Sequence, residues 1–180
     1  MLFRSDINLL KNHTTYGCNE LYKEYTPTHM VCKDGPMIWD ICRDGYTKEN
    51  KCYFGAYELS RTNQEVEITI FASGSEVNLA LEVSHKLATE NIYSKVISVP
   101  CQELFEKQLT NYKEKILNET KFKISIEAGS TDCWKKYVGE KGLTFGINDF
   151  GKSAPYKEVY KHFGLTSKII AQKTKEMIKK

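Results

Sequence analysis

Glu67-Ile68-Thr69-Ile70-Phe71-Ala72-Ser73-Gly74-Ser75-Glu76-Val77 is the stretch on which the fold turns. Its first half is a β-branched apolar run, the pattern of a strand buried on both faces. Ser73-Gly74 stops the run. Ser73 and Glu76 then stand three apart, the spacing of a capping box that satisfies free N–H groups at the start of a helix. Val77, Ala80, Leu81, Leu87 and Ala88 fall on one face of that helix, which Asn91 can end.

Outward from this point the alternation of strand and helix continues. Lys95-Val96-Ile97-Ser98-Val99 is a second strand, stopped by Pro100, and helical material follows from Glu103 to Leu117. Phe122-Lys123-Ile124-Ser125-Ile126-Glu127-Ala128 is a third strand, ended by Gly129. Ser130, Thr131 or Asp132 can cap the short helix carrying Trp134, Tyr137 and Val138. Thr144-Phe145-Gly146-Ile147-Asn148 reads as a last strand. Pro155 suits a first helical position, and Tyr156, Val159, Tyr160 and Phe163 occupy i, i+3, i+4 and i+7 behind it. Gly164-Leu165 is a helix-stop pair, and Thr166 caps a terminal helix with lysines at its negative end. This pattern predicts an α/β domain over residues 55–180, a parallel sheet covered on both faces in three α/β/α layers.

Residues 1–54 differ. They hold four of the six cysteines and show no sustained period of 2 or 3.6. Asp34-Gly35-Pro36 and Asp44-Gly45 are turn signals, and only Thr28–Cys32, opened by Pro27, is strand-like. The segment is expected to be irregular or to need a neighbour for order. Its charges balance, so the net charge of +3 lies downstream.

Composition narrows the class. With 180 residues, 41% hydrophobic and 27% charged, the chain is an ordinary globular one. A charge of +3 is too weak to imply a nucleic-acid or membrane partner. No apolar run approaches the ~18 residues of a membrane span, and the start has no secretory pattern. A cytoplasmic chain with reduced cysteines is expected. His13, Cys18, His29 and Cys32 are metal-ligand types, but their spacing matches no zinc module, so no metal site is assigned.

Several segments together resemble the C-terminal domain of transketolase. They are Ala72-Ser73-Gly74-Ser75-Glu76-Val77, Val99-Pro100-Cys101-Gln102-Glu103-Leu104-Phe105, and Glu127-Ala128-Gly129 with Asp132 and Trp134. Lys136-Tyr137-Val138-Gly139, Phe150-Gly151-Lys152-Ser153-Ala154-Pro155 and Phe163-Gly164-Leu165-Thr166 continue the likeness. The resemblance implies a five-stranded mixed sheet whose first strand, around Ala56–Leu59, runs antiparallel to the other four. It also implies an enzyme of the pentose phosphate pathway that moves a two-carbon ketol unit from a ketose phosphate to an aldose phosphate. That enzyme uses thiamine diphosphate and a divalent metal, Mg or Ca, held by two domains N-terminal to this one.

Those domains are not expected in this chain. The family's metal and diphosphate motif is Gly-Asp-Gly followed at a distance by Asn. Lys33-Asp34-Gly35 and Arg43-Asp44-Gly45 offer only Asp-Gly, more simply read as turns, and Asn63 lies in a charged turn before a strand. No residue is therefore assigned a catalytic, cofactor-binding or metal role, and the chain alone is expected to bind no cofactor. Pro27-Thr28-His29-Met30-Val31-Cys32-Lys33-Asp34 resembles an eroded end of the family's pyrimidine-binding domain. Lys33 stands there in place of an Arg that holds substrate phosphate, and it lacks that residue's bidentate fork.

Two further features carry a sharp and a plain reading. Ser73, Gly74, Ser75, Gly129 and Ser130 sit where strands meet helix starts, as an anion or regulatory site or as simple capping residues. Glu127 and Asp132 are either a carboxylate pair dividing acid and base roles, or Asp132 caps a helix while Glu127 meets a Lys or a backbone N–H. Three organisations remain open. The chain is a truncated, inactive transketolase piece, or one subunit of a split enzyme completed by a separate chain with the cofactor domains, or a stand-alone binding module. Homodimerisation, a family trait, is also left open.

Overall fold

The computed structural model describes residues 16–18, 29–31 and 51–179. The expectations placed on Lys33, Asp34-Gly35, Asp44-Gly45, His13 and Cys32 lie outside these. The chain divides into two compact units, Met1–Ala56 with Pro100–Lys107, and Tyr57–Val99 with Gln108–Lys180.

In the first unit, strands β1 (Tyr16–Cys18) and β2 (His29–Val31) pair in parallel. Of the strand expected over Thr28–Cys32, the described residues His29–Val31 are a strand, and β1 had no signal in the pattern. A 3₁₀ turn over Cys52–Phe54 ends at Gly55, whose φ is 74°. A side chain at Gly55 would meet the Phe105 amide nitrogen at 2.3 Å and the Cys101 carbonyl at 2.5 Å, so this position excludes any Cβ. Cys101 starts α2 (Gln102–Glu106) with its thiol, which accepts from the Leu104 amide at 3.4 Å.

The second unit is built on a five-stranded sheet of order β3-β5-β4-β6-β7. The strands are β3 (Tyr57–Arg61), β4 (Ile68–Ala72), β5 (Ser94–Ser98), β6 (Phe122–Ile126) and β7 (Leu143–Phe145). β3 pairs antiparallel with β5, and every other pairing is parallel. The mixed sheet and its antiparallel edge strand are those expected. Strands β4 and β5 are buried at every position, which explains their apolar and small residues, with Lys95 on β5 the one charged side chain among them.

Helix α1 (Glu76–Ala88) and the terminal α6 (Ser167–Ile178) cover one face, packing Val77, Ala80, Leu87 and Ile170 onto Ile68, Ile70 and Ile124. The other face carries Phe71, against which Tyr137 of α4 (Lys135–Val138) packs with ring centres 6.0 Å apart. Helical material expected from Glu103 to Leu117 is split: α3 (Thr110–Leu117) is separate from α2. Helix α5 (Tyr156–His162) ends as predicted, with Gly164 at φ 73° and the Leu165 amide donating to the Tyr160 carbonyl at 2.8 Å. Thr166 accepts from the Ile169 amide at 3.4 Å and caps α6.

One buried charge organises the β3 side. Lys95 on β5 is 0% exposed. Its ammonium donates to Glu119 Oε2 at 2.8 Å and to the Lys115 carbonyl at 3.3 Å. Arg61 bridges Glu58 and Glu119, with contacts of 2.6 to 2.8 Å. The Arg61 guanidinium, with Lys95 beside it, pulls the Glu119 carboxyl down to about 2.

Candidate functional site

In the sheet order, the connection from β4 leaves toward β5 and that from β6 leaves toward β7. The carboxyl ends of β4 and β6 therefore flank the crevice where open α/β sheets take ligands. Ser73 follows β4 and Glu127 follows β6. The Ser73 hydroxyl donates to Glu127 Oε2 at 2.5 Å, linking the two strand ends across the crevice.

A second carboxyl enters from α1. Glu76 is only 4% exposed. Its Oε1 accepts from the Ser75 hydroxyl at 2.9 Å and from the phenol of Tyr160 on α5. Burial pushes the Glu127 carboxyl upward; the Ser73 hydroxyl opposes this, and the neighbouring Glu76 carboxyl adds to it. Two carboxyls sharing a poorly hydrated space disfavour double ionisation. Burial, then the bond to Glu76, raises the Tyr160 phenol to about 12, so it stays a donor at any ordinary pH.

The far wall of the crevice is the turn after β6. The Glu127 amide donates to the Phe145 carbonyl at 3.0 Å, and the Ile147 amide to the Gly129 carbonyl at 2.8 Å. This approach leaves no room at Gly146, where a Cβ would lie 2.6 Å from both the Gly129 carbonyl and the Thr131 methyl. Asn148 Oδ1 accepts from the Thr131 amide at 3.0 Å and from its hydroxyl at 3.1 Å. Ser130 is exposed; its hydroxyl oxygen accepts from the Asp132 amide at 3.3 Å.

Several expectations change here. The capping box between Ser73 and Glu76 is not formed: α1 begins at Ser75 without a side-chain cap. The Ser73 hydroxyl is taken by Glu127, and the Glu76 carboxyl by the adjacent Ser75 and by Tyr160; Glu127 and Tyr160 are partners supplied by tertiary structure. The carboxyl beside Glu127 is Glu76 rather than Asp132. Asp132 is exposed and binds Lys135 Nζ at 2.8 Å, which lowers its carboxyl. Tyr160 and Glu76 carried no sequence signal for this role, because a Glu three residues after a Ser looks like a cap and a helical Tyr like packing.

Ser73, Gly74, Ser75, Gly129 and Ser130 all border the crevice. Gly74 holds φ at 52°, and its carbonyl accepts from the Val77 amide at 3.4 Å. An anion arriving there would face both Glu76 and Glu127. The described residues do not fit a divalent metal carrying a diphosphate. Among them no group of three or more His, Cys, Asp or Glu side chains converges, and the two crevice carboxyls are already spent on O–H donors. Cys101 is no poised nucleophile, because burial pushes its thiol upward. Among the described residues no helix is long and apolar enough to cross a membrane.

Comparison with known proteins gives a consistent picture. Residues 55–166 match the family model described as the transketolase-like TK C-terminal domain. A transketolase of Staphylococcus epidermidis is 39% identical over 159 residues, 87% of this chain and 24% of that protein. A transketolase of Aquifex aeolicus is 36% identical over 137 residues, 76% of this chain and 20% of that protein. Among solved structures, transketolase from Leishmania mexicana is 34% identical with a TM-score of 0.66, over 72% of this chain and 19% of that one. A split-gene transketolase, an inactive β4 tetramer, shares the fold at a TM-score of 0.57 and 16% identity, over 71% of this chain and 43% of its own. The chain thus spans about a quarter of the length of the S. epidermidis relative it matches.

Proposed function

The chain belongs to the transketolase-like C-terminal domain family, and from that premise we propose that it supplies the C-terminal domain of a two-carbon ketol transferase acting on sugar phosphates in the pentose phosphate pathway. The observation that carries this reading is the family match over residues 55–166, together with 39% identity to a transketolase. On this reading the chain alone transfers nothing. Thiamine diphosphate with Mg or Ca belongs to the parts of a transketolase that the match does not cover.

The role of this domain is then to complete a larger assembly. At its crevice Ser73 bonds Glu127 and Tyr160 bonds Glu76, which favours a structural part over a chemical one. The cofactor domains come from a separate chain in our alternative reading, supported by a protein of this fold described as a split-gene transketolase. In that setting Lys33 is the proposed contact to substrate phosphate, as a point charge. The compartment proposed is the cytoplasm.

A second reading makes the crevice a regulatory site at Ser73, Gly74, Ser75, Gly129 and Ser130. Its place between β4 and β6 supports this. The two carboxyls weigh against an anionic ligand there. Titration with inorganic phosphate followed by NMR tests it, and unmoved Gly74 and Gly129 amides would end it.

Co-expression with a transketolase polypeptide carrying the cofactor domains tests the main reading. Ketol transfer from the pair, with none from either part alone, is the expected result. No complex and no transfer would remove it.

A further inference from the structure

Of the apolar stripe predicted to face a core, Tyr160 on α5 and Phe163 just beyond it pack against the core, whereas Tyr156 at the start of the helix stays exposed. Every residue from 148 to 158 is exposed. Two large rings stand out, Phe150 at 90% and Tyr156 at 68%. Single exposed apolar side chains are ordinary. The exposed run of 148–158 with its two rings is a surface not covered inside the domain, whereas Tyr160 and Phe163 just behind it pack against the core.

The run is nevertheless firmly held at both ends. Asn148 is fixed by the Thr131 amide and hydroxyl, and Tyr160 by Glu76. The Tyr156 ring stands edge-on to Tyr160 at 6.0 Å, and Lys157 Nζ lies 6.0 Å above the Tyr156 ring. Aromatic rings presented from such a frame lose little freedom on docking.

We propose that the 149–155 segment and the first turn of α5 dock the part of a transketolase polypeptide that lies outside the C-terminal domain, with Phe150 and Tyr156 as anchors. The proposal rests on the reading above. The S. epidermidis relative matches 87% of this chain with 24% of its own length, which leaves roughly three quarters of that protein to cover such a face. Aromatic anchors with a polar rim are the usual carriers of affinity at protein interfaces. Lys152 and Lys157, both exposed, supply the rim.

The test mixes the full 180-residue chain with the S. epidermidis transketolase polypeptide lacking its matched stretch. Sedimentation velocity reads the complex, and a ketol-transfer assay reads activity. The expected result is a complex weakened about tenfold or more by Phe150→Asp and by Tyr156→Asp. Leu109→Asp, at a separate position 76% exposed, leaves the affinity unchanged. Melting temperatures close to that of the unaltered chain verify that the variants fold. An active complex with the same affinity in both ring variants overturns the docking face and leaves the transketolase reading standing. A complex weakened by the ring variants but inactive supports the face and counts against the reading. No complex and no activity overturns both. Self-association of this chain that Phe150→Asp abolishes makes a second copy the occupant and also overturns the proposal.

Discussion

The Ser73 hydroxyl donates to Glu127 Oε2 across 54 positions of sequence, tying the end of β4 to the end of β6 at 2.5 Å. With Tyr160 bound to Glu76, this tie joins two strands, the start of α1 and the middle of α5 at the carboxyl edge of the sheet. Open sheets of this kind receive ligands there. Here the polar side chains at that place bond one another, and the proposed function rests on assembly rather than on chemistry at this edge.

Glu127 makes stability depend on pH. Burial raises its folded pKa above the usual 4.5. The stability contributed by its neutral form is full below about 4.5 and is lost as pH rises through the raised folded value. Glu127→Gln keeps an acceptor for Ser73 and cannot ionise. Its melting temperature should equal or exceed that of the parent near pH 7, with the gap closing toward pH 4. A deficit at pH 7 would contradict the assignment.

Tyr160→Phe removes a donor from a carboxyl that is 4% exposed. A loss of about 1–3 kcal/mol is expected, the cost of leaving a buried acceptor without its partner. Because the phenol titrates at about 12, the loss should be the same at pH 6 and pH 9 in urea unfolding.

Lys95 gives the opposite pH dependence through Glu119. The Glu119 carboxyl sits at about 2, held there first by Arg61 and then by Lys95. Its stabilising contribution is present above about 4.5 and is lost as pH falls toward about 2. Glu119→Gln leaves the buried ammonium without a charged partner. We expect a loss of about 1–3 kcal/mol at pH 7, below that for a fully buried pair because Glu119 is partly exposed. Melting curves of the variant should also lose part of the acid dependence between pH 5 and pH 2.

Gly146→Ala should cost about 1–3 kcal/mol, because its methyl group would lie 2.6 Å from a backbone oxygen. Gly151→Ala meets nothing within 4 Å and serves as the control, with a melting temperature unchanged within error.

Most of the fold was legible, and for a physical reason. Strands β4, β5 and β6 are buried through most of their length, so burial alone wrote them as apolar runs around Ile68–Ala72, Val96–Ile97 and Ile124–Ile126. Gly164, Leu165 and Thr166 act locally, and local signals survive without tertiary context. The edge site was less legible. Ser73, Gly74, Ser75, Gly129 and Ser130 were placed at the correct edge, because strand ends can be read from turn residues. The partners of Ser73 and Glu76 could not be found, since Glu127 and Tyr160 lie 54 and 84 positions away and no periodicity links them. The exposure of Tyr156 was hidden as well: the apolar stripe of α5 marks Tyr160 and Phe163, which pack on the core, in the same way as Tyr156, which does not.

The most direct measurement is a ketol-transfer assay on the purified 180-residue chain with thiamine diphosphate, magnesium, a ketose phosphate donor and an aldose phosphate acceptor. The account predicts no transfer by the chain alone, and transfer once a polypeptide bearing the cofactor domains is added. Saturable transfer by the unaided chain would contradict it.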